Sequence, residues 1–203
     1  MLSLSLSKMY IERDSIMRGV VSMLFDVEKL IGFAAYIMKQ MDVDSMKYIM
    51  LIKLMYLSDR KFVELYDSTI SNDDFFSMQH GPVLSRLLNL IHNDSLDEFQ
   101  KKWNSYFYTQ DNDIHMNGNF AFEKCVKLSK AEMGVIDEIV KEYGHWDRWA
   151  LIDNVMHKLP EWEDPNGSSR PISLKKMMSA LGKSEEEINA ALEENELYER
   201  ELV

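Results

Sequence analysis

Met46-Lys-Tyr-Ile-Met-Leu-Ile-Lys53-Leu-Met-Tyr56-Leu-Ser-Asp59 runs on through Arg60-Lys-Phe-Val-Glu-Leu-Tyr66, and a polar, aromatic segment then leads to His80-Gly81-Pro82-Val83. Between Tyr48 and Leu57 only Lys53 is charged. A surface helix carries one apolar stripe, whereas a helix apolar on every face is buried on every face. The segment is therefore expected to form a central helix reaching about Tyr66, with the other elements packed around it. Its later part is amphipathic. Arg60 and Glu64 stand four apart and are placed to pair, worth about 0.3 kcal/mol.

The flanks read as further helices. Val27, Leu30, Ile31, Ala34, Ala35, Ile37 and Met38 fall at helical spacing within Phe25 to Met41, with Asp26 as cap. Asp44 or Ser45 is expected to cap the central helix. Phe75 to Gln79 suits a short strand. Pro82 suits the first turn of a helix through Val83, Leu84, Leu87, Leu88 and Ile91, ended by His92-Asn93-Asp94. Residues 103 to 128 change character. Trp103, Tyr106, Phe107, Tyr108, Ile114, Met116, Phe120, Phe122 and Val126 alternate with turn clusters at Asp111-Asn112-Asp113 and Asn117-Gly118-Asn119. Two or three short antiparallel strands are expected there. Ser129-Lys-Ala-Glu132 is a capping box opening a helix that stops at Gly144. Another helix spans Trp146 to His157. A proline-bounded loop follows to Pro171, and a short helix from Ile172 ends at Gly182. Ser184-Glu-Glu-Glu187 opens the last helix, to about Tyr198. The expected fold is mostly α, formally α+β: a helical body around a buried central helix with a small antiparallel β element.

The chain of 203 residues has room for one sizeable domain. The expected division is an N-terminal extension over residues 1–22, a domain over 23–182 and an acidic C-terminal helix over 183–203. Met17 and Met23 compete with Met1 as the natural start. One cysteine, Cys125, excludes an internal disulfide and a cysteine-based zinc site, and points to a reducing cytoplasm. No apolar run approaches a membrane span of about 18 residues. The fifteen methionines suit an adaptable core.

The net charge of −11 disfavours nucleic acid as a partner, because binding it needs a basic footprint. From Gly182 onward eight glutamates face only Lys183 and Arg200, a net −6 and over half of the excess. An acidic surface suits a basic protein partner.

Catalytic signatures are missing: there is no P-loop, no GxGxxG, no HExxH and no GxSxG. The five histidines, His80, His92, His115, His145 and His157, lack ligand spacing. The sharpest metal reading joins His80 and His157 to Asp59; the plainer one leaves His80 shaping a turn and His157 at a helix end. No cofactor is expected. Tyr56 and Asp59 share a face of the central helix. A buried carboxylate needs partners: either the two line a polar cleft facing the His80-Gly81-Pro82 turn, or Asp59 accepts hydrogen bonds from that turn and fixes it, which is the expected arrangement. Trp162 is either an exposed anchor for a partner or a lid on the core.

Three segments together carry a resemblance. Lys53-Leu-Met-Tyr56-Leu-Ser-Asp59, then Gln79-His80-Gly81-Pro82-Val83, then His157-Lys-Leu-Pro160-Glu-Trp162 resemble the Panacea domain, the antitoxin domain that includes the proteolytic adaptor SocA. The family pattern reads K-L-L-Y-(L/F)-A-D, Y-G-P-V and S-H-x-x-P-x-W. Ser58 stands here for Ala, His80 for Tyr and Met156 for Ser. The similarity covers about residues 25–180. It implies a mostly helical domain with a small β element, bacterial or phage-borne, that binds and neutralises a co-encoded toxin. Some members hand the toxin to a protease or its unfoldase. On this reading Lys53, Tyr56, Asp59, His80, Gly81, Pro82, His157 and Trp162 shape one pocket or clasp around the central helix. Two other readings compete. One is a metal-dependent hydrolase using Asp59 and His80. The other is a transcriptional autoregulator with a helix-turn-helix over Ile172 to Leu192, against which the Glu-rich second helix argues.

Overall fold

A computed structural model of the chain describes residues 25–94, 96–118 and 127–201. The expected N-terminal extension and the strands expected around Phe120, Phe122 and Val126 lie outside the described residues, as does Cys125.

The described residues form eight α-helices and two small antiparallel sheets. In chain order they are α1 (Val27–Gln40), β1 (Ser45–Lys47), α2 (Tyr48–Tyr66), β2 (Phe75–Met78), β3 (Gly81–Leu84) and α3 (Ser85–His92). Next come α4 (Glu98–Asn104), β4 (Phe107–Gln110), β5 (Asp113–Met116), α5 (Lys130–Tyr143) and α6 (Arg148–Asn154). A 3-10 turn (Met156–Lys158), β6 (Arg170–Ile172), α7 (Leu174–Ala180) and α8 (Glu185–Glu201) complete the chain. The protein is mostly helical and belongs to the α+β class.

Helix α2 is the centre. All ten residues from Met50 to Asp59 are buried, so no face of these three turns meets solvent. α1 and α5 pack on it, and β3 and α7 close the remaining sides. The apolar run that predicts a buried helix is thus satisfied on every face. Beyond Arg60 the helix emerges, and Glu64, Leu65 and Tyr66 are exposed. It ends at Asp67 in the left-handed conformation, φ 58°.

Local chemistry sets several boundaries as expected. Asp26 caps α1 by accepting from the amides of Glu28 and Lys29. Ser129 and Glu132 form the reciprocal capping box of α5, and Gly144 ends it. Ser184 and Glu187 repeat the exchange at α8.

Other boundaries move. Ser45 caps nothing: Ser45–Lys47 is a strand pairing with β5, Ser45 opposite His115 and Met46 opposite Ile114. Pro82 does not open a helix. Gly81–Leu84 is an edge strand paired with β2, where a proline lacking its N–H is tolerated, and the helix starts only at Ser85. Trp103 lies in α4, not in a strand. Arg170–Ile172 adds a third strand to β2, Phe75 opposite Ile172. Trp146 to His157 divides into α6 and the 3-10 turn.

Candidate functional site

Four side chains of α2, spaced three, three and one apart, reach from the central helix to three other segments. Lys53 is 1% exposed, and its Nζ donates to the carbonyl oxygen of Pro82 at 2.7 Å. Burial pushes its ammonium pKa down to about 7. The Tyr56 hydroxyl donates to Glu161 Oε1 at 3.0 Å. Arg60 grips the same carboxylate, Nε to Oε1 at 2.7 Å and Nη2 to Oε2 at 3.4 Å. Glu161 is wholly buried and the Arg60 side chain is 19% exposed, so this pair joins α2 to the late loop largely away from water. The expected pairing of Arg60 with Glu64 gives way to it: a near-bidentate, wholly buried carboxylate outcompetes a solvated neighbour, and Glu64 turns to Lys61 instead.

Asp59 is also wholly buried. Its Oδ1 accepts from the amides of Ile70 and Ser71 at 2.6 and 3.0 Å, and its Oδ2 accepts from Ser71 Oγ at 2.6 Å. Desolvation raises its pKa to about 6, while these donors hold it down. The partner expected for Asp59, the His80-Gly81-Pro82 turn, is corrected to the loop that follows α2; Lys53 is the α2 residue that holds the turn. The contacts continue outward. Ser71 Oγ accepts from the Asp73 amide, and Asp73 accepts from the amides of Arg86 and Leu87 at the start of α3. Leu84, at the N-cap position of α3, offers no side-chain cap, so buried Asp73 supplies one from a distance. Burial pushes the Asp73 carboxyl up to about 7.

The β2–β3 turn is held from its other side by the late loop. Gly81 has φ +88°, and a Cβ built on it would stand 2.7 Å from Met156 Cβ, so only glycine fits. Trp162 Nε1 donates to the Met78 carbonyl at 3.0 Å, and His157 Nε2 lies 3.1 Å from the Gln79 carbonyl, which can only accept. The two rings stack on each other, centroids 4.3 Å apart. Trp162 is half-buried and serves as a lid on the turn. His80 is exposed and meets the edge of Trp149, which is 46% exposed with the Arg148 guanidinium over its ring.

The eight motif residues therefore sit on three segments that meet around the β2–β3 turn. Lys53, Gly81, Pro82, His157 and Trp162 come together there; Tyr56 joins through Glu161, next to Trp162, and Asp59 secures the adjoining loop. His80 and His157 take different aromatic neighbours, and Asp59 spends its oxygens elsewhere. Among the described residues no group of three or more His, Cys, Asp or Glu side chains is placed to hold a metal ion. Glu161 stands in the sequence as a lone acid between Pro160 and Trp162, with nothing local to single it out. Its signal was the pattern of polar residues along a helix otherwise buried, which require a distant charged partner.

A helical body whose central helix is pinned to a glycine–proline hairpin by Lys53, and to a tryptophan loop by Tyr56 and Arg60, defines the class. Residues 51–163 match the family model described as antitoxin SocA-like, Panacea domain, and the chain belongs to that family. Comparisons with curated proteins and with solved structures gave no match. No helix among the described residues is long and apolar enough to cross a membrane.

Proposed function

We propose that the protein is an antitoxin that neutralises a co-encoded toxin by binding it directly, acting as a docking body rather than through catalysis. The family match over residues 51–163 carries this reading. The side-chain chemistry supports it. Lys53, Tyr56, Asp59 and Glu161 point into the protein and are taken up by partners within it, so the motif builds a rigid frame. The motif's partner-facing role falls to the outer rim of the clasp, where His80 and its neighbour Trp149 are exposed. Exposed tryptophan is a frequent anchor in protein interfaces. The acidic surface steers a basic toxin in the cytoplasm.

The test is co-expression with the polypeptide encoded beside this chain. Toxicity of that polypeptide alone, rescue by this protein, and recovery of the two as a complex with undiminished toxin are the expected outcomes. Loss of the toxin on co-expression assigns the chain instead to delivery to a protease or its unfoldase. A harmless neighbour, or no rescue, overturns the antitoxin reading.

A further inference from the structure

Surface cavities of about 560, 540 and 420 Å³ are each large enough for a small molecule, whose sites span roughly 300–1,000 Å³. In the first, the polar groups are spent within the protein. Lys29 pairs with Glu132, Asp73 accepts from the amides of Asp74, Arg86 and Leu87, and Thr69 donates to Asn72. The third has no aromatic wall. The second differs in both respects. It lies where the C-terminal ends of α3 and α4 meet β4, the first residue of α2 and the β4–β5 turn.

Rings make its walls. Tyr48 meets His92 edge-on, centroids 5.5 Å apart, and Trp103 lies against Phe107 at 4.5 Å. One buried group among them is unspent. Trp103 is 1% exposed, and its indole Nε1 has no acceptor among the described residues. An indole N–H can only donate, and buried polar groups almost always find a partner. Gln100, one turn earlier on α4, does not receive it. Its Nε2 donates to the Leu90 carbonyl and to Asn104 Oδ1, and its Oε1 is itself unpartnered. At the rim, Asn93 spends its Oδ1 on Asn104, which leaves its Nδ2 as a donor, and the Tyr48 hydroxyl is a second. No lysine, arginine, aspartate or glutamate is among the residues that line the cavity.

These features select a ligand. Aromatic walls take a flat π-face. Donors without acceptors call for carbonyl oxygens or ring nitrogens at its edge. A wall without lysine or arginine offers a phosphate no charge to pair with. Inward donors also oppose a quaternary ammonium, which aromatic walls alone would hold.

We propose that the cavity between α3, α4 and β4 binds a neutral nucleobase-like heterocycle, free or as its nucleoside, with the ring among Tyr48, His92, Trp103 and Phe107 and an edge acceptor on the Trp103 indole N–H. The site shares no residue with the clasp around the β2–β3 turn, so it stands independently of the antitoxin reading.

Adenosine, guanosine, cytidine and uridine are titrated into the nitrogen-15-labelled full chain, and the indole N–H signals of its four tryptophans are followed. The expected result is a saturable shift of the Trp103 signal by at least one nucleoside, with Kd of about 1 mM or tighter, while Trp146, Trp149 and Trp162 stay unmoved. Trp103→Phe keeps an aromatic ring and removes the donor. Read on the backbone amides of β4, it should weaken binding by about fivefold. Should that variant melt early, His92→Ala, at an exposed rim position, is read in its place, with a loss of about fivefold or more from the missing ring. The 5′-monophosphate should bind no more tightly than the nucleoside. No shift with any of the four nucleosides overturns the proposal, as does an equal shift of all four indoles. Binding that the variant leaves unchanged, or a tighter monophosphate, overturns it too. So does a Trp103 response to tetramethylammonium in place of the nucleosides, which would make the walls a cation cage.

Discussion

Lys53 Nζ donates to the carbonyl oxygen of Pro82 across 2.7 Å, and neither residue meets solvent. A lysine buried with one carbonyl for company is driven toward its neutral form, and its pKa falls to about 7. The unfolded chain keeps the ordinary lysine value near 10.4. Between about pH 7 and 10 the unfolded state then holds the extra proton, so stability rises with pH, by up to about 1.4 kcal/mol per unit. Urea unfolding of wild type at pH 7 and pH 9 should show this gain, and Lys53→Met, which keeps the stem and drops the titrating group, should show less of it. Equal pH slopes for the two proteins would remove the buried amine as the cause.

The buried carboxylates pull the other way. Asp59 is raised to about 6 and Asp73 to about 7, both chiefly by desolvation. A carboxyl whose folded pKa lies above its unfolded value binds its proton more tightly when folded. It therefore adds stability in acid that is lost as pH climbs from about 4 to about 7. Asp59→Asn should flatten part of that fall. It should also lower stability at neutral pH by about 2 kcal/mol, because the amide cannot accept from all three donors at Ile70 and Ser71. Thermal melts across pH 4–8 read both effects.

How much of this could be read from the chain depended on the range of each interaction. The ring of apolar residues around Met50–Leu57 needs no partner to be recognised, and Ser129 with Glu132 is a contact of three residues. Ser45 resembles a cap in the sequence because its strand partner lies in β5, some seventy residues on, and a short strand has no local signature stronger than a cap. Pro82 is ambiguous in the sequence because proline suits both a helix start and a strand edge, and only the pairing with Ser77 decides. At the site, the need for partners was legible and their identity was not. Asp59 had to be satisfied, yet nothing in the chain order separates Ser71 from Gly81 as the donor. Arg60 finds Glu161 across 101 positions.

That ion pair gives a third prediction. Removing one partner of a buried pair strands the other charge, at about 3–5 kcal/mol. Glu161→Leu leaves Arg60 and the Tyr56 hydroxyl without their acceptor and should destabilise by that order. The double change Arg60→Met with Glu161→Leu strands no charge. In equilibrium denaturation it should recover most of the loss, leaving a coupling of about 2 kcal/mol or more in the mutant cycle. A double variant as unstable as the sum of the singles would mean that Glu161 acts through Tyr56 alone.

Gly81 supplies the last test. Its φ of +88° costs any other residue about 1 kcal/mol or more, and the added methyl would meet Met156 Cβ at 2.7 Å. Gly81→Ala should therefore lose about 2–4 kcal/mol, the backbone and overpacking terms together. The source of the clash can be separated from that of the strain. Met156→Ala keeps its Cβ and should not relieve Gly81→Ala, whereas Met156→Gly removes the contact and should return the clash component, at its own cost in backbone freedom and a lost core side chain. Melting temperatures of wild type, Gly81→Ala, the two Met156 variants and the two double variants decide it. Relief by Met156→Ala would place the collision on the outer methionine atoms, and the close approach of the hairpin to the 3-10 turn would no longer explain the glycine.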